Sequence, residues 1–142
     1  MISPLPLFTY GSLTHPEVLH ILLGRLPASK PAEAPNHQAR ALPDKPYPVL
    51  VPTPEATTRG VLLTDLTEQE KRLLDVFEGP IYMPTEIAVL TDQGSLEATA
   101  YAVTVSEAEN LRAKEPWSQS RLIAEMRDFL EDCERFRKTY EE

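Results

Sequence analysis

Cysteine and basic residues are both scarce in this sequence. Only one of the 142 residues is a cysteine, Cys133, so an internal disulfide is excluded and a reducing compartment is the expected environment. Lys and Arg number 14 against 22 Asp and Glu, which gives a formal net charge of -8. The long-range field of such a chain repels polyphosphates and anionic lipid headgroups, so we expect neither a nucleic-acid partner nor a membrane partner.

Long apolar runs and clustered metal ligands are also missing. Nowhere do 18 apolar residues follow one another, and residues 1–7 have no signal-peptide pattern, so we expect a cytoplasmic protein. Because His15, His20 and His37 are scattered, we predict no metal site. What is present, 42% hydrophobic and 25% charged residues, is typical of a globular protein and predicts one domain over residues 1–142.

The N-terminal region predicts a strand at residues 5–10, a glycine turn and a helix. Thr14 lies three residues before Glu17, a capping-box pattern, so we expect the helix to begin near Thr14. Gly24 is placed to end this helix in a left-handed conformation. The sequence thus predicts that a strand, a tight turn and a helix follow one another at the start of the fold.

The turn between this strand and helix is a candidate binding site. It has the sequence Tyr10-Gly11-Ser12-Leu13. A glycine turn ahead of a helix directs successive backbone N–H groups to one point, which suits an anion or an oxyanion. An ordinary strand-to-helix turn is the alternative interpretation. Ser12 lacks the flanking glycines of a Gly-x-Ser-x-Gly nucleophile, which disfavours a hydrolase triad.

Residues 27–54 contain 8 of the 14 prolines. Each proline lacks an N–H donor and has a fixed φ, which excludes helix and disfavours a central strand. We therefore expect irregular loops there with short edge strands at residues 37–42 and 47–51. A better-defined strand is predicted at residues 58–64.

A second candidate site lies at the end of a predicted helix. Thr67 and Glu70 form a capping-box pattern, and Gly79 with the following proline should end the helix. Glu78 interrupts the apolar pattern just before that end. If the helix points into a pocket, desolvation would raise the pKa of Glu78 and suit it to general-base catalysis near neutral pH. The alternative is a solvated glutamate, although a carboxylate there meets the unfavourable end of the helix dipole.

The rest of the chain predicts a hairpin and a long helix. Residues 85–90 and 96–103 have strand patterns and flank a turn-forming segment at 92–95. Residues 118–140 have apolar side chains on one stripe, which predicts a long amphipathic helix. Cys133 lies on that stripe, so we expect a buried packing residue and not a nucleophile.

Two motifs together resemble those of a known family. They are Tyr10-Gly11-Ser12-Leu13 and Leu74-Asp75-Val76-Phe77-Glu78-Gly79, the second followed by Tyr82. The sequence thereby resembles the gamma-glutamylcyclotransferase-like proteins, in particular the AIG2-like and gamma-glutamylamine cyclotransferase branches, over about residues 5–105. The resemblance implies an α+β fold, a small mixed β-barrel with packed helices, here extended by the C-terminal helix.

The resemblance also implies a reaction. The α-amine of a γ-glutamyl group attacks its own γ-carbonyl, which closes 5-oxoproline and releases an amine, in a lyase or acyltransferase type of reaction. Glu78 would be the catalytic acid and base. Tyr10, Gly11, Ser12, Leu13 and Tyr82 would bind the substrate, and neither a metal nor another cofactor is implied.

The chain departs from the family pattern at two places. Its first motif lacks the Asn that some branches of the family carry there. Pro84 stands where a basic residue often follows the second motif, which predicts an altered contact to the substrate carboxylate. Arg25, Arg40 or Arg59 could supply the positive charge instead. Together with the proline-rich residues 27–54, Pro84 motivates a rival hypothesis, a non-catalytic member of the fold that binds a small metabolite or a partner.

Two further questions stay open at the level of sequence. Gly11 and Gly79 could be turn residues only, in a plain acidic domain whose motifs are structural. For an enzyme, the substrate could be a γ-glutamyl amino acid, a γ-glutamyl amine, glutathione or a γ-glutamyl-protected intermediate. The sequence does not choose among these.

Overall fold

Five strands and five α-helices make up most of residues 4–140, the part of the chain that this computed structural model describes. In chain order they are β1 Leu7–Thr9, α1 Pro16–Leu23, β2 Ser29–Ala41, β3 Pro48–Leu63, α2 Glu68–Glu78, β4 Met83–Thr91, β5 Gly94–Ala102, α3 Val105–Asn110, α4 Gln119–Ile123 and α5 Met126–Tyr140. A 3-10 turn at Ser12–Thr14 links β1 to α1.

The strands form a closed barrel in the order β1-β3-β2-β4-β5. The β1–β3, β3–β2, β2–β4 and β4–β5 pairs are antiparallel, whereas β5 closes the barrel against β1 in parallel. A further parallel pair, Leu50 opposite Ala102, joins β3 to β5. The predicted mixed β-barrel with α+β organisation is confirmed.

Side chains alternate between the inside and the outside of the barrel. On β1 the fully buried Phe8 points into the barrel, whereas Leu7 belongs to a second core between the barrel and the helices. On β3, Leu62 points into the barrel and Leu63 belongs to the second core. The interior is filled by large side chains and alanines from all five strands: Phe8, Tyr10, Ala32, Ala34, Leu50, Leu62, Ile87, Val89, Ala98, Ala100 and Ala102. The narrow barrel is therefore a packed core, and a site must form at its end or outside it.

The helices pack on the outer surface of the barrel and form the second core. Leu22 of α1, Leu74 of α2, and Cys133 of α5 are fully buried in it. The prediction of a packing role for Cys133 agrees with this burial, which raises the pKa of its thiol to about 12. A thiol with that pKa is protonated at neutral pH and is a poor nucleophile.

Residues 27–54 differ most from the prediction. The strands expected at residues 37–42, 47–51 and 58–64 are present, but as parts of two longer strands, β2 and β3, and most of the expected loops are wrong. β2 and β3 form one long hairpin, with Ser29 opposite Leu63 at its open end and Ala41 opposite Pro48 at its turn. Along most of β2, the edge that faces away from β3 has no paired strand, because β2 pairs with β4 only at Glu33, opposite Leu90. A proline is tolerated where a strand edge has no hydrogen-bonding neighbour. The pairing register also shifts between Pro35 and His37.

The first helix is confirmed and begins two residues after the expected Thr14, but its predicted capping box is wrong. Thr14 donates its hydroxyl to the Gly11 carbonyl at 2.7 Å, and α1 begins only at Pro16, with His15 as its N-cap. The capping box does not form because the 3-10 turn already uses Thr14, and Pro16 fits the first helical position. The expected helix end is confirmed, since Gly24 has φ 74.

The C-terminal helix predicted at 118–140 is two helices. α4 ends at Ile123, and residues 124–125 form a turn before α5 begins. α3 was not predicted, although Thr104 and Glu107 form the same capping box that correctly marked α2 at Thr67. The predicted hairpin is confirmed as β4–β5, with Thr91 opposite Gly94.

No helix among residues 4–140 has the length and apolar character needed to cross a bilayer.

Candidate active site

The two sequence motifs meet at one end of the barrel, around a small space that we call the inner recess. It has a volume of about 20 Å³. Its lining consists of Phe8, Thr9, Tyr10, Gly11, Ser12, Leu13, Tyr47, Pro48, Glu78, Tyr82 and Tyr101. This set includes all six residues that were predicted to form the site, so the fold brings them together.

A larger space, which we call the outer cavity, shares four lining residues with the inner recess: Ser12, Tyr47, Glu78 and Tyr82. Its volume is about 360 Å³, which is within the range of small-molecule sites. The remaining lining residues are Asp44, Lys45, Pro46, Phe77, Glu125, Asp128, Phe129 and Asp132. Glu78 therefore lies where a small ligand in the outer cavity would meet the barrel end.

Local structure places Glu78 at this boundary. The Thr67 capping box starts α2, and Leu73 and Leu74 bury one face of the helix against the second core. The helix ends at Glu78 because Gly79 adopts φ 80, a conformation that glycine favours. Glu78 is consequently the last residue of α2, as the sequence predicted.

The surroundings of Glu78 favour its protonated form. Burial, and to a smaller extent the negative charge of Asp75, raise the pKa of Glu78 to about 8. The last turn of α2 contains no basic residue that would oppose this effect. The shift has the direction expected from the sequence, and a carboxyl group with such a pKa can both accept and return a proton near neutral pH.

Three buried tyrosines surround the recess. Tyr10 donates its hydroxyl to the Tyr101 carbonyl, and Tyr82 donates to the Pro48 carbonyl at 2.6 Å. Burial is the main cause that raises the pKa of all three phenols, with the charge of Glu78 adding to it. They are therefore neutral hydrogen-bond donors around the carboxyl group.

Gly11 is required by a close approach. A Cβ atom at this position would lie 2.8 Å from Cδ of Pro48, at the start of β3. Its φ is −129, so a left-handed conformation is not the reason for glycine here. The turn after β1 thus lies directly against β3, which places the backbone of residues 11–13 along the recess.

The outer cavity has a wall that the sequence motifs did not indicate. It is the connection at residues 42–47, whose backbone is held by two side chains from the C-terminal region. Trp117 donates its indole N–H to the Pro46 carbonyl at 2.7 Å, and Arg121 donates to the carbonyls of Leu42 and Pro43 at 2.8 and 2.9 Å. The proline-rich region therefore contributes a fixed side of the cavity.

The arginines that were considered as substrate contacts lie elsewhere. Arg25 pairs with Glu70 at 2.7 Å, and Arg59 pairs with Glu33 at 3.5 Å on the surface. The third, Arg40, donates to Gln38 and Thr53. None of the three lines either space.

A lysine supplies the positive charge at the cavity instead. Lys45, from the connection at residues 42–47, lines the outer cavity and was not predicted from sequence. Pro84 is exposed, lies opposite Tyr101 in the β4–β5 pair and does not line the cavity.

A comparison with known proteins identifies the family. The family model described as "Gamma-glutamyl cyclotransferase, AIG2-like" matches residues 7–119. The chain belongs to this family. Relatives of this chain include AIG2-like protein C of Arabidopsis thaliana, 36% identical over 87 residues, and AIG2-like protein A, 31% identical over 88. These matches cover 61% and 62% of this chain and 51% and 53% of the relatives, so the chain spans about half the length of the curated relatives it matches.

Solved structures show the same fold. A solution structure of an Arabidopsis thaliana protein superimposes with a TM-score of 0.70 at 22% identity, covering 96% of this chain and 93% of the other. A structure named gamma-glutamyl cyclotransferase gives a TM-score of 0.61 at 16% identity, over 90% of this chain and 98% of the other. The barrel with its packed helices is therefore the architecture of this family.

Proposed function

We propose that the protein is a γ-glutamyl cyclotransferase that forms 5-oxoproline from a small γ-glutamyl amine. The observation that supports this most is the position of Glu78: a proton-holding carboxyl group at the junction of the inner recess and the outer cavity, opposite the turn at residues 11–13. Membership of the gamma-glutamyl cyclotransferase, AIG2-like family supports the same reaction.

The proposed reaction needs one proton-transfer group. The Glu78 carboxylate takes a proton from the substrate α-ammonium, and the freed amine nitrogen attacks the γ-carbonyl carbon. Glu78 returns the proton to the leaving nitrogen as the bond from that carbon to the leaving nitrogen breaks. The attacking nitrogen loses its second proton as the lactam forms, and this proton passes through Glu78 to the released amine, which leaves as an ammonium ion. Because the nucleophile and the carbonyl are in one molecule, proximity is already supplied and the enzyme contributes orientation and proton transfer.

The volumes indicate where the substrate would lie. The inner recess, at about 20 Å³, has room for roughly one water molecule. The outer cavity, at about 360 Å³, can hold a small γ-glutamyl compound. We therefore infer that the substrate occupies the outer cavity, with its γ-carbonyl directed at the recess. Backbone N–H groups of Gly11, Ser12 and Leu13 would stabilise the oxyanion or hold the substrate carboxylate.

The charges of the outer cavity favour certain leaving groups. Asp44, Glu125 and Asp128 line it together with Asp132, which is paired with Arg135, and Lys45 is the one basic residue in the lining. These carboxylates repel a leaving group with its own carboxylate, such as the dipeptide portion of glutathione, and attract one with an additional ammonium group. Of the four substrate classes open at the level of sequence, we infer the γ-glutamyl amines.

The experiment is a 5-oxoproline release assay on the purified protein. The substrates are γ-glutamyl conjugates of an uncharged amine, a diamine, an amino acid and a dipeptide at equal concentration. We expect release with all small conjugates and the highest kcat/KM with the diamine. No release from any of them by folded protein, with thermal stabilisation by the same compounds, would replace the enzyme by the binding hypothesis.

A further inference from the structure

Asp75 makes two hydrogen bonds at the end of α2, one that closes the last turn and one that joins this turn to the barrel. Its backbone carbonyl accepts the N–H of Gly79 at 3.2 Å, which closes the turn that contains Glu78. Its side chain accepts the hydroxyl of Tyr101, on β5, at 2.5 Å. A short hydrogen bond to a carboxylate is among the stronger side-chain contacts in proteins. The orientation of the helix end therefore depends on Asp75.

Tyr101 joins this contact to the first motif. It is buried, lines the inner recess, and packs edge-on against Tyr82 with 6.3 Å between ring centres. Its backbone carbonyl accepts the hydroxyl of Tyr10. A continuous path of contacts thus runs from Tyr10 through Tyr101 to Asp75, which lies three residues before Glu78 on the same helical turn.

The charge of Asp75 also acts on Glu78. Its carboxylate raises the pKa of Glu78, in addition to the effect of burial. Tyr10, Tyr47, Tyr82 and Tyr101 face the recess as neutral phenols, because burial raises their pKa values. The charged groups lining the outer cavity come from the connection at residues 42–47 and from the α4–α5 region: Asp44, Lys45, Glu125, Asp128 and Asp132. Unlike these groups, Asp75 lies on the same helix as Glu78, three residues before it.

We propose that Asp75 is a positioning residue for Glu78: by accepting the Tyr101 hydroxyl it fixes the last turn of α2 to β5, and it places its own carboxylate one helical turn from Glu78. This inference rests on the proposed cyclotransferase reaction. During that reaction Glu78 must keep the proton from the α-ammonium until the leaving nitrogen takes it. A carboxyl group without a nearby negative charge would release the proton more readily.

Three variants separate the charge from the hydrogen bond. Asp75→Asn keeps an acceptor oxygen and nearly the same shape but removes the charge. Tyr101→Phe removes the hydroxyl donor and keeps both the ring and the Asp75 charge. Asp92→Asn is the control for net charge, since it makes the same change in the exposed β4–β5 turn.

The first readout is the titration midpoint of Glu78, followed by NMR of protein with ¹³C-labelled glutamate and assigned with Glu78→Gln. We expect Asp75→Asn to lower the midpoint by roughly 0.5 pH units or more, the direction that loss of a neighbouring negative charge gives. Tyr101→Phe and Asp92→Asn should not lower it. An unchanged midpoint in folded Asp75→Asn would overturn the inference. Asp75→Ser replaces Asp75→Asn if the latter does not fold.

The second readout is the pH profile of 5-oxoproline release. In Asp75→Asn the rising limb of kcat/KM should move to lower pH with the NMR midpoint, whereas Tyr101→Phe should lower kcat by about 10-fold with KM little changed, because Glu78 is misplaced. A profile that does not move would contradict the role of Asp75. If the wild type releases no 5-oxoproline, the proposed reaction fails, while the NMR midpoints still decide whether Asp75 controls Glu78.

Discussion

The inner recess and the outer cavity share a boundary but differ in almost every physical property. The recess has buried tyrosines, neutral phenols and a backbone turn packed against β3. The outer cavity is lined by exposed carboxylates and one lysine. Glu78 belongs to both.

Because of this difference, we expect the recess to control the reaction and the outer cavity to control the choice of substrate. A change in the recess disturbs a buried, closely packed set of groups, where electrostatic and packing effects are large. A change in the outer cavity alters solvated charges, which interact weakly. We therefore expect recess variants to lose the reaction or the fold, and outer variants to change the preference among substrates.

The largest effect should come from Glu78→Gln. It keeps the shape of the side chain and removes the proton acceptor, so kcat should fall by at least about 100-fold. The matched control is Glu125→Gln, which makes the same chemical change in the outer cavity and should stay within a few-fold of wild type. The assay is 5-oxoproline release from the diamine conjugate. Equal losses in the two variants would remove the distinction between recess and outer cavity.

A packing change in the recess should have the next largest effect. Gly11→Val places a side chain against Pro48, where even a Cβ would be 2.8 Å from the ring. We expect a loss of about 1–3 kcal/mol in the free energy of unfolding, measured in urea, together with weaker substrate binding. Lys45→Val places the same valine side chain at the exposed outer wall, where it meets no close contact, and should change stability by less than about 0.5 kcal/mol. Unchanged unfolding of Gly11→Val would show that the turn is not closely packed.

The pKa of Glu78 predicts a pH-dependent cost to stability. The pKa is raised from 4.5 in its ordinary state to about 8 in the fold, so the unfolded chain releases this proton at lower pH than the native protein. Stability is unaffected below about pH 4.5 and falls as pH rises toward 8.

Removing this carboxyl should therefore stabilise the protein at higher pH. Relative to wild type, Glu78→Gln should gain roughly 1–2 kcal/mol between pH 4.5 and 8, less than the full shift implies because cavity water screens the charge. Thermal unfolding of both proteins at several pH values measures the difference. A constant difference across this range would contradict the raised pKa.

The smallest effect is expected in the outer cavity. Asp128→Asn removes one exposed carboxylate from the wall formed by α5. For a diamine conjugate KM should rise by about two- to five-fold, corresponding to roughly 0.4–1 kcal/mol, and the difference should shrink at high salt. For an uncharged leaving group KM should stay the same. An equal change for both substrates would indicate that charge is not what the outer cavity recognises.

The sequence predicted the recess far better than the outer cavity. The predicted recess residues lie in two short stretches of sequence, 10–13 and 78–82, so each stretch can be recognised as a local motif. Lys45 and Asp128 have no such pattern, because only the packing of the β2–β3 turn and α5 brings them to the cavity. Tyr101 was predicted as a strand residue, but its contact with Asp75 depends on how α2 meets β5.

The fold predictions were also correct where local residues mark an element and wrong where the topology decides it. The β4–β5 hairpin and α2 follow from local turn and cap residues, and both are confirmed. The β2–β3 hairpin was missed because its prolines disfavour a strand unless one edge lacks a partner, a condition that only the barrel topology creates. The turn at residues 124–125, which divides the C-terminal helix, interrupts no apolar periodicity and has no proline or glycine to mark it.

The most direct test is the stoichiometry of the reaction in wild type and Glu78→Gln with one γ-glutamyl diamine. Both products, 5-oxoproline and the free diamine, are measured together with binding of the same compound by calorimetry. We predict equimolar products from the wild type, and binding without turnover in Glu78→Gln. Equal turnover by the two proteins would contradict the role of Glu78. Diamine release without 5-oxoproline would contradict cyclisation itself.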